Sequence, residues 1–194
     1  MAIEEPQYTV IESGEDFEIR QYEPYIVAEV TVDGSLRQSG SSAFRILAGY
    51  IFGENRSNAK MNMTAPVESR PTSERMNMTA PVESVDNGDG SYVYGFVMER
   101  RYTMDTLPMP IDERIRIREV PARTMVVRSF TGMWTNGNYE RHESELLDIV
   151  RDRDMQVVGL PLFARYDGPM TPFFMRRNEV MVEIAEPAAE TASR

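Results

Sequence analysis

The sequence contains no cysteine, one histidine, one tryptophan and, among its 21 basic residues, the single lysine Lys60. Without cysteine there is no disulfide, zinc–thiolate site, iron–sulfur cluster or thiol nucleophile. With His142 alone, a two-histidine zinc site is impossible: His142-Glu143-Ser144-Glu145 begins like a zinc-protease motif, but Leu146 stands where the second histidine belongs. Positive charge is short, 21 Lys and Arg against 31 Asp and Glu for a net charge of −10. That balance argues against nucleic acid and against an anionic membrane surface, both of which need clustered cations. Long apolar runs are missing too. The longest, Val157 to Ala164, falls far short of a membrane span. Met1 to Pro6 has neither a basic nor an apolar leader region, so the expectation is a soluble cytoplasmic protein. The Asn-x-Ser/Thr sequons at Asn55, Asn62 and Asn77 then carry no meaning. Signatures for a nucleophile elbow, a phosphate-binding loop or a dinucleotide site are also missing. Asp86-Asn87-Gly88-Asp89-Gly90 hints at a calcium loop, yet Val97 occupies the position of the bidentate glutamate, and Asn87-Gly88 reads as a hairpin turn.

What is present is internal repetition within 194 residues, a length that suits one domain. Met61-Asn62-Met63-Thr64-Ala65-Pro66-Val67-Glu68-Ser69 recurs unchanged at Met76 to Ser84, an offset of 15. Both copies alternate with period two and predict neighbouring half-buried strands joined through Arg70 to Ser73, bent where each proline removes a donor. A fainter repeat aligns Phe17 to Gly34 with Ile115 to Gly132 at an offset of 98. Each glycine precedes a helical period: about 37–52, with Phe44, Leu47, Ala48 and Ile51 on one stripe, and about 138–153, with Tyr139, Leu146, Leu147 and Val150. Ser41 and Asn138 are the expected cap-side residues. Both halves read strand–strand–helix–strand–strand.

The expected fold is therefore α+β, with two pseudo-symmetric halves sharing one curved, barrel-like sheet and both helices packed on it. The domain spans 8–184, with halves of about 8–98 and 113–184. A proline-rich linker covers 105–113, and 1–7 and 185–194 are expected as flexible ends. The 14 methionines, Met61, Met63, Met76, Met78, Met98 and Met181 among them, fit either ordinary core filling or an adaptable apolar cavity.

Together, Phe17-Glu18-Ile19-Arg20-Gln21-Tyr22, Ala43 to Asn55, the doubled Met-Thr-Ala-Pro-Val, Thr106-Leu107-Pro108 and Arg176-Arg177-Asn178-Glu179-Val180 resemble the SOUL haem-binding protein family, from about Tyr8 to Ile184. The resemblance implies a distorted β-barrel with two helices, similar to the effector-binding domains of bacterial multidrug regulators. It also implies haem or other tetrapyrrole binding in an apolar groove beside the first helix, with basic side chains meeting the propionates, and no general enzymatic activity. Some members carry a histidine where this chain has Gln21, which cannot ligate iron as histidine does.

The site residues expected on this basis are Arg45, Ala48, Phe52, Met61 and Met63 beside the first helix, with Phe173, Phe174 and Arg176 closing the groove. No catalytic residue and no metal ligand is expected; His142 is the remote alternative as an axial ligand. The partner is a small, planar, hydrophobic molecule, not nucleic acid or membrane. The competing functions are a binding module for other amphipathic, cationic molecules, or a protein-interaction module without haem.

Overall fold

The computed structural model describes residues 3–57 and 73–185. Eleven strands and two long helices follow in chain order: β1 Tyr8–Ser13, β2 Glu18–Tyr22, β3 Tyr25–Asp33, α1 Leu36–Ile51, β4 Asn55–Arg56, β5 Val82–Asp86, β6 Ser91–Val97, β7 Met109–Pro110, β8 Arg116–Val120, β9 Arg123–Phe130, α2 Asn136–Asp152, β10 Val157–Arg165 and β11 Asn178–Ile184. A 3-10 turn, Phe173–Met175, lies between the last two strands. Nine strands form one antiparallel sheet, curled into a half-barrel, in the order β1-β2-β9-β11-β10-β5-β6-β3-β8. The short β4 and β7 pair separately, drawing the end of α1 towards the linker.

The sheet order is palindromic in the two halves. β2, the first strand after β1, pairs with β9 of the second half, and β8, which opens the second half, pairs with β3 of the first. The register repeats at the sequence offset of 98: Tyr22 faces Arg123, and Val120 faces Tyr25. At the centre Ser84 of β5 faces Phe163 of β10, and the pairs on either side, Val85 with Leu162 and Glu83 with Ala164, exchange under a twofold operation. Gly34 and Gly132, also 98 apart, turn the chain into the helices with φ of 116° and 128°, a region open to glycine.

Both helices cover the same face. α1 buries Leu36, Ala43, Leu47, Tyr50 and Ile51 against Ala28, Val30, Tyr94 and Phe96. α2 buries Tyr139, Leu146 and Val150 against Val126, Phe163, Val180 and Val182. Period-two alternation sends Met125, Val127, Leu162 and Met181 to the opposite face. The caps lie upstream of the expected ones, at Ser35 and at Thr135, whose side chain accepts from Asn138 N at 3.4 Å. Ser41 and Asn138 fall inside the helices.

The second Met-Asn-Met copy corrects the strand expectation. Only Val82 onward enters the sheet; Met76 to Pro81 is irregular and ends in a cis Ala80–Pro81 bond. Its backbone is satisfied elsewhere: Met76 N donates to Ile51 O, Asn77 N to the Glu99 carboxylate and Ala80 N to Glu4 O. Met76 nevertheless enters the α1 core, as its apolar alternation demands. The first copy lies outside the described residues. Within residues 3–7, part of the end expected as flexible, Glu4 receives Ala80 N and the Arg100 side chain, and Gln7 O receives Glu23 N.

Candidate functional site

A groove of about 390 Å³ opens beside the first half of α1, where the helix-covered face meets the seam between the two halves. α1 supplies Leu36, Gly40, Ser41 and Phe44; β5 supplies Val82 and β10 supplies Arg165. Trp134 and the segment Asp167-Gly168-Pro169 form the opposite wall. The lining is chiefly apolar, and its size falls within the ~300–1,000 Å³ usual for small-molecule sites.

Local sequence explains why the two ends of the twofold differ at the groove. Leu47 and Ile51 of α1 correspond in the buried pattern to Leu146 and Val150 of α2, an offset of 99 that sets Gly40 against Tyr139. Tyr139 fills its side of the seam, packing on Phe163 at 4.7 Å between ring centroids. Gly40 leaves the space open; a Cβ there would stand 3.4 Å from Tyr94 Oη. The connections differ as well. β5 and β6 are joined by the tight turn Asn87 to Gly90, but the chain between β10 and β11 runs from Tyr166 to Arg177 and builds a wall.

Trp134 is anchored by Nε1 donating to Asn178 Oδ1 at 2.8 Å. Arg176 stacks on its ring at 4.1 Å and fixes the wall by donating to Thr171 O and Pro169 O at 2.8 and 2.9 Å. Arg165 rises from the sheet on the same face as Phe163. It contacts the rings of Trp134, Tyr94 and Phe163 at 5.5, 5.8 and 5.9 Å. Its Nε is buried and has no hydrogen-bond partner among the described residues. Burial holds its guanidinium below the usual arginine range, with Tyr94 opposing that shift. Asp167, the acid in the wall, is engaged by Arg177 N at 2.6 Å and Thr171 Oγ1 at 3.4 Å.

The expected site residues are distributed as follows. Arg176 braces the wall through Trp134. Phe173 and Phe174, 52% and 63% exposed, sit on the 3-10 turn beyond the wall, stacked edge-on at 5.5 Å. On α1, Arg45 is exposed, Ala48 is buried and Phe52 is half-exposed at the C-cap, and none of the three lines the groove. Met61 and Met63 lie outside the described residues. Sequence reading missed Gly40, Trp134 and Arg165; the signal for Gly40 was its alignment with Tyr139. His142 stacks on Phe130 at 3.9 Å and contacts Glu145 through Nδ1 at 2.9 Å, away from the groove lining. Gln21 accepts from Thr124 Oγ1 at 2.7 Å.

Several motif residues do structural work away from the groove. Arg20 of β2 pairs with Glu179 of β11 at 3.0 Å, both almost wholly buried, and Tyr166 donates to the same carboxylate at 2.6 Å. Desolvation pulls the Arg20 guanidinium down, but Glu179, Tyr22 and Glu18 together more than offset it and the net shift is upward. Asn55 Nδ2 donates to Tyr50 O and Glu74 O, while Tyr50 Oη donates to Pro108 O at 2.6 Å, which ties the end of α1 to the linker.

A family model described as SOUL heme-binding protein matches residues 3–183. The chain belongs to this family. Among solved structures, the chain is similar to the EcmrR C-terminal domain, at 10% identity, TM-score 0.64, 93% of this chain and 99% of that one. It is similar to EcmrR in an EcmrR–DNA complex, at 12% identity and TM-score 0.62, over 88% of this chain and 57% of that one. A hydrolase from Listeria innocua gives 10% identity and TM-score 0.56, over 90% and 94%. At such identities the likeness concerns the fold. No curated protein matches in sequence.

Proposed function

We propose that the protein binds haem or another tetrapyrrole in the groove beside α1, without catalysis, as a cytoplasmic carrier, buffer or sensor. The observation that carries this reading is the cradle at Gly40: an apolar slot bounded by Phe44, Val82 and Trp134, in a member of a haem-binding family. A flat macrocycle needs close approach to the helix, which a glycine permits and any larger side chain would hinder. Leu36, Phe44, Val82 and Trp134 would hold the ring by burial of apolar area. Haem would bring a planar apolar ring, acidic side arms and an iron centre. The placement of His142 on α2 supports binding by the groove without a histidine on the iron.

The absence of catalysis in this reading is supported by the employment of the buried acids. Glu83 accepts from Tyr25 Oη at 2.8 Å and Glu179 pairs with Arg20, both on the sheet face opposite the groove. Titration with haem and with iron-free porphyrin tests the reading. Comparable, saturable binding of both is expected; saturation with neither overturns it. A much weaker signal for the iron-free ring would mean that an axial ligand exists.

A further inference from the structure

Three arginines of the sheet, Arg20 buried and Arg123 and Arg165 half-buried, differ in one respect. Arg20 meets Glu179, and Arg123 meets Tyr25 and, at 3.7 Å, Glu183. Arg165 makes no hydrogen bond or ion pair among the described residues, and its contacts are aromatic faces. A guanidinium drawn back from solvent, its Nε buried and without a counter-ion, is costly and is ordinarily paired. Asp167, the one acid lining the groove among the described residues, is occupied by Arg177 N and Thr171. Arg165 belongs to β10, so the unpaired charge stands at the sheet, beneath α1, on the floor of an apolar groove.

We propose that the groove is a receptor for an apolar carboxylate, whose carboxylate group goes in first and pairs with Arg165 while its apolar body lies between Phe44 and Trp134. This rests on the reading of the groove as the ligand site and narrows it to a chemical class. The planar fork of arginine suits a carboxylate bidentately, and the low-polarity surroundings strengthen the pair. A cationic ligand would meet the guanidinium at close range and is disfavoured. The carboxylate has two sources, the acidic side arms of a tetrapyrrole and the head group of a fatty acid.

Trp134 is the chain's only tryptophan and lines the groove, so its fluorescence reports on occupancy. The probes are dodecanoate against dodecanol, and protoporphyrin IX against its dimethyl ester, each titrated into the intact protein. The acid of at least one pair should bind about tenfold or more tighter than its neutral partner, the scale of a charged hydrogen bond. Acid preference in the porphyrin pair alone assigns the tetrapyrrole source; preference in the dodecanoate pair alone assigns the fatty acid. Arg165→Gln should bring the ratio to about one, and Arg165→Lys should keep part of it. Equal binding of acid and neutral forms by the parent protein overturns the inference and leaves the reading of the groove standing. No saturable response to any of the four probes overturns both. The acid–neutral comparison needs no variant, so it decides the matter even if Arg165→Gln fails to fold.

Discussion

At the residue scale, the absence of a side chain at Gly40 is as informative as any side chain present. Gly40→Leu is expected to abolish porphyrin binding while leaving the fold intact. The added Cβ meets the Tyr94 side chain, its hydroxyl at 3.4 Å and its ring edge at 3.6 Å, and replacing glycine within a helix contributes roughly 0.5–1 kcal/mol of stability. A haem titration alongside a thermal melt checks both halves of that statement; a variant that binds as the parent does places the ligand elsewhere. The Arg20–Glu179 pair carries the opposite expectation. Arg20→Met strands a buried carboxylate and should cost about 3–5 kcal/mol in urea unfolding, whereas Arg20→Met with Glu179→Leu should recover much of that loss. A single variant as stable as the parent would contradict the structural role given to this pair.

At the scale of elements, α2 docks on β9 through His142 stacked on Phe130. Burial holds the His142 imidazole below its usual value of 6.5, with the Glu145 carboxylate opposing and the Arg141 and Arg128 guanidiniums reinforcing the effect. A base whose folded-state pKa is depressed stabilises the fold while neutral and loses that contribution as pH falls below the unfolded value. Melting temperature should therefore carry a decline on acidification from about pH 7 towards pH 5.5 that His142→Gln lacks; the same slope in both proteins would refute the assignment. The haem absorption spectrum of His142→Ala should match that of the parent, and a shifted Soret band would make His142 an iron ligand. Both helices were legible in the sequence to within about two residues, because Leu47 and Ile51, and Leu146 and Val150, recur at the helical period. The Met76 segment was misread because alternation reports which side chains are buried, not where the backbone bonds go. Its donors are met by Ile51, Glu99 and Glu4, which no local pattern encodes.

At the scale of the whole molecule, the exchange of β2 and β8 makes each half depend on the other for an edge of its sheet. Unfolding in urea should accordingly be one transition, coincident by Trp134 fluorescence and by far-ultraviolet circular dichroism; two separated transitions would mean two independent halves. The offset of 98 foretold the twofold relation, since matching residues needed matching neighbours. It could not foretell the exchange, because pairing partners are not written in a strand's own alternation. The groove escaped sequence reading for a related reason. The first helix supplies one wall, but Trp134, Arg165 and the 167–169 segment come from the second half, more than 80 residues along the chain. The central claim, that ligand enters this composite groove, is tested most directly by the indole N–H resonance of Trp134, one peak in a nitrogen–proton spectrum because the chain has one tryptophan. On titration with iron-free porphyrin that peak should shift and saturate together with the absorbance change. An absorbance change that saturates while the indole resonance stays in place would contradict the account.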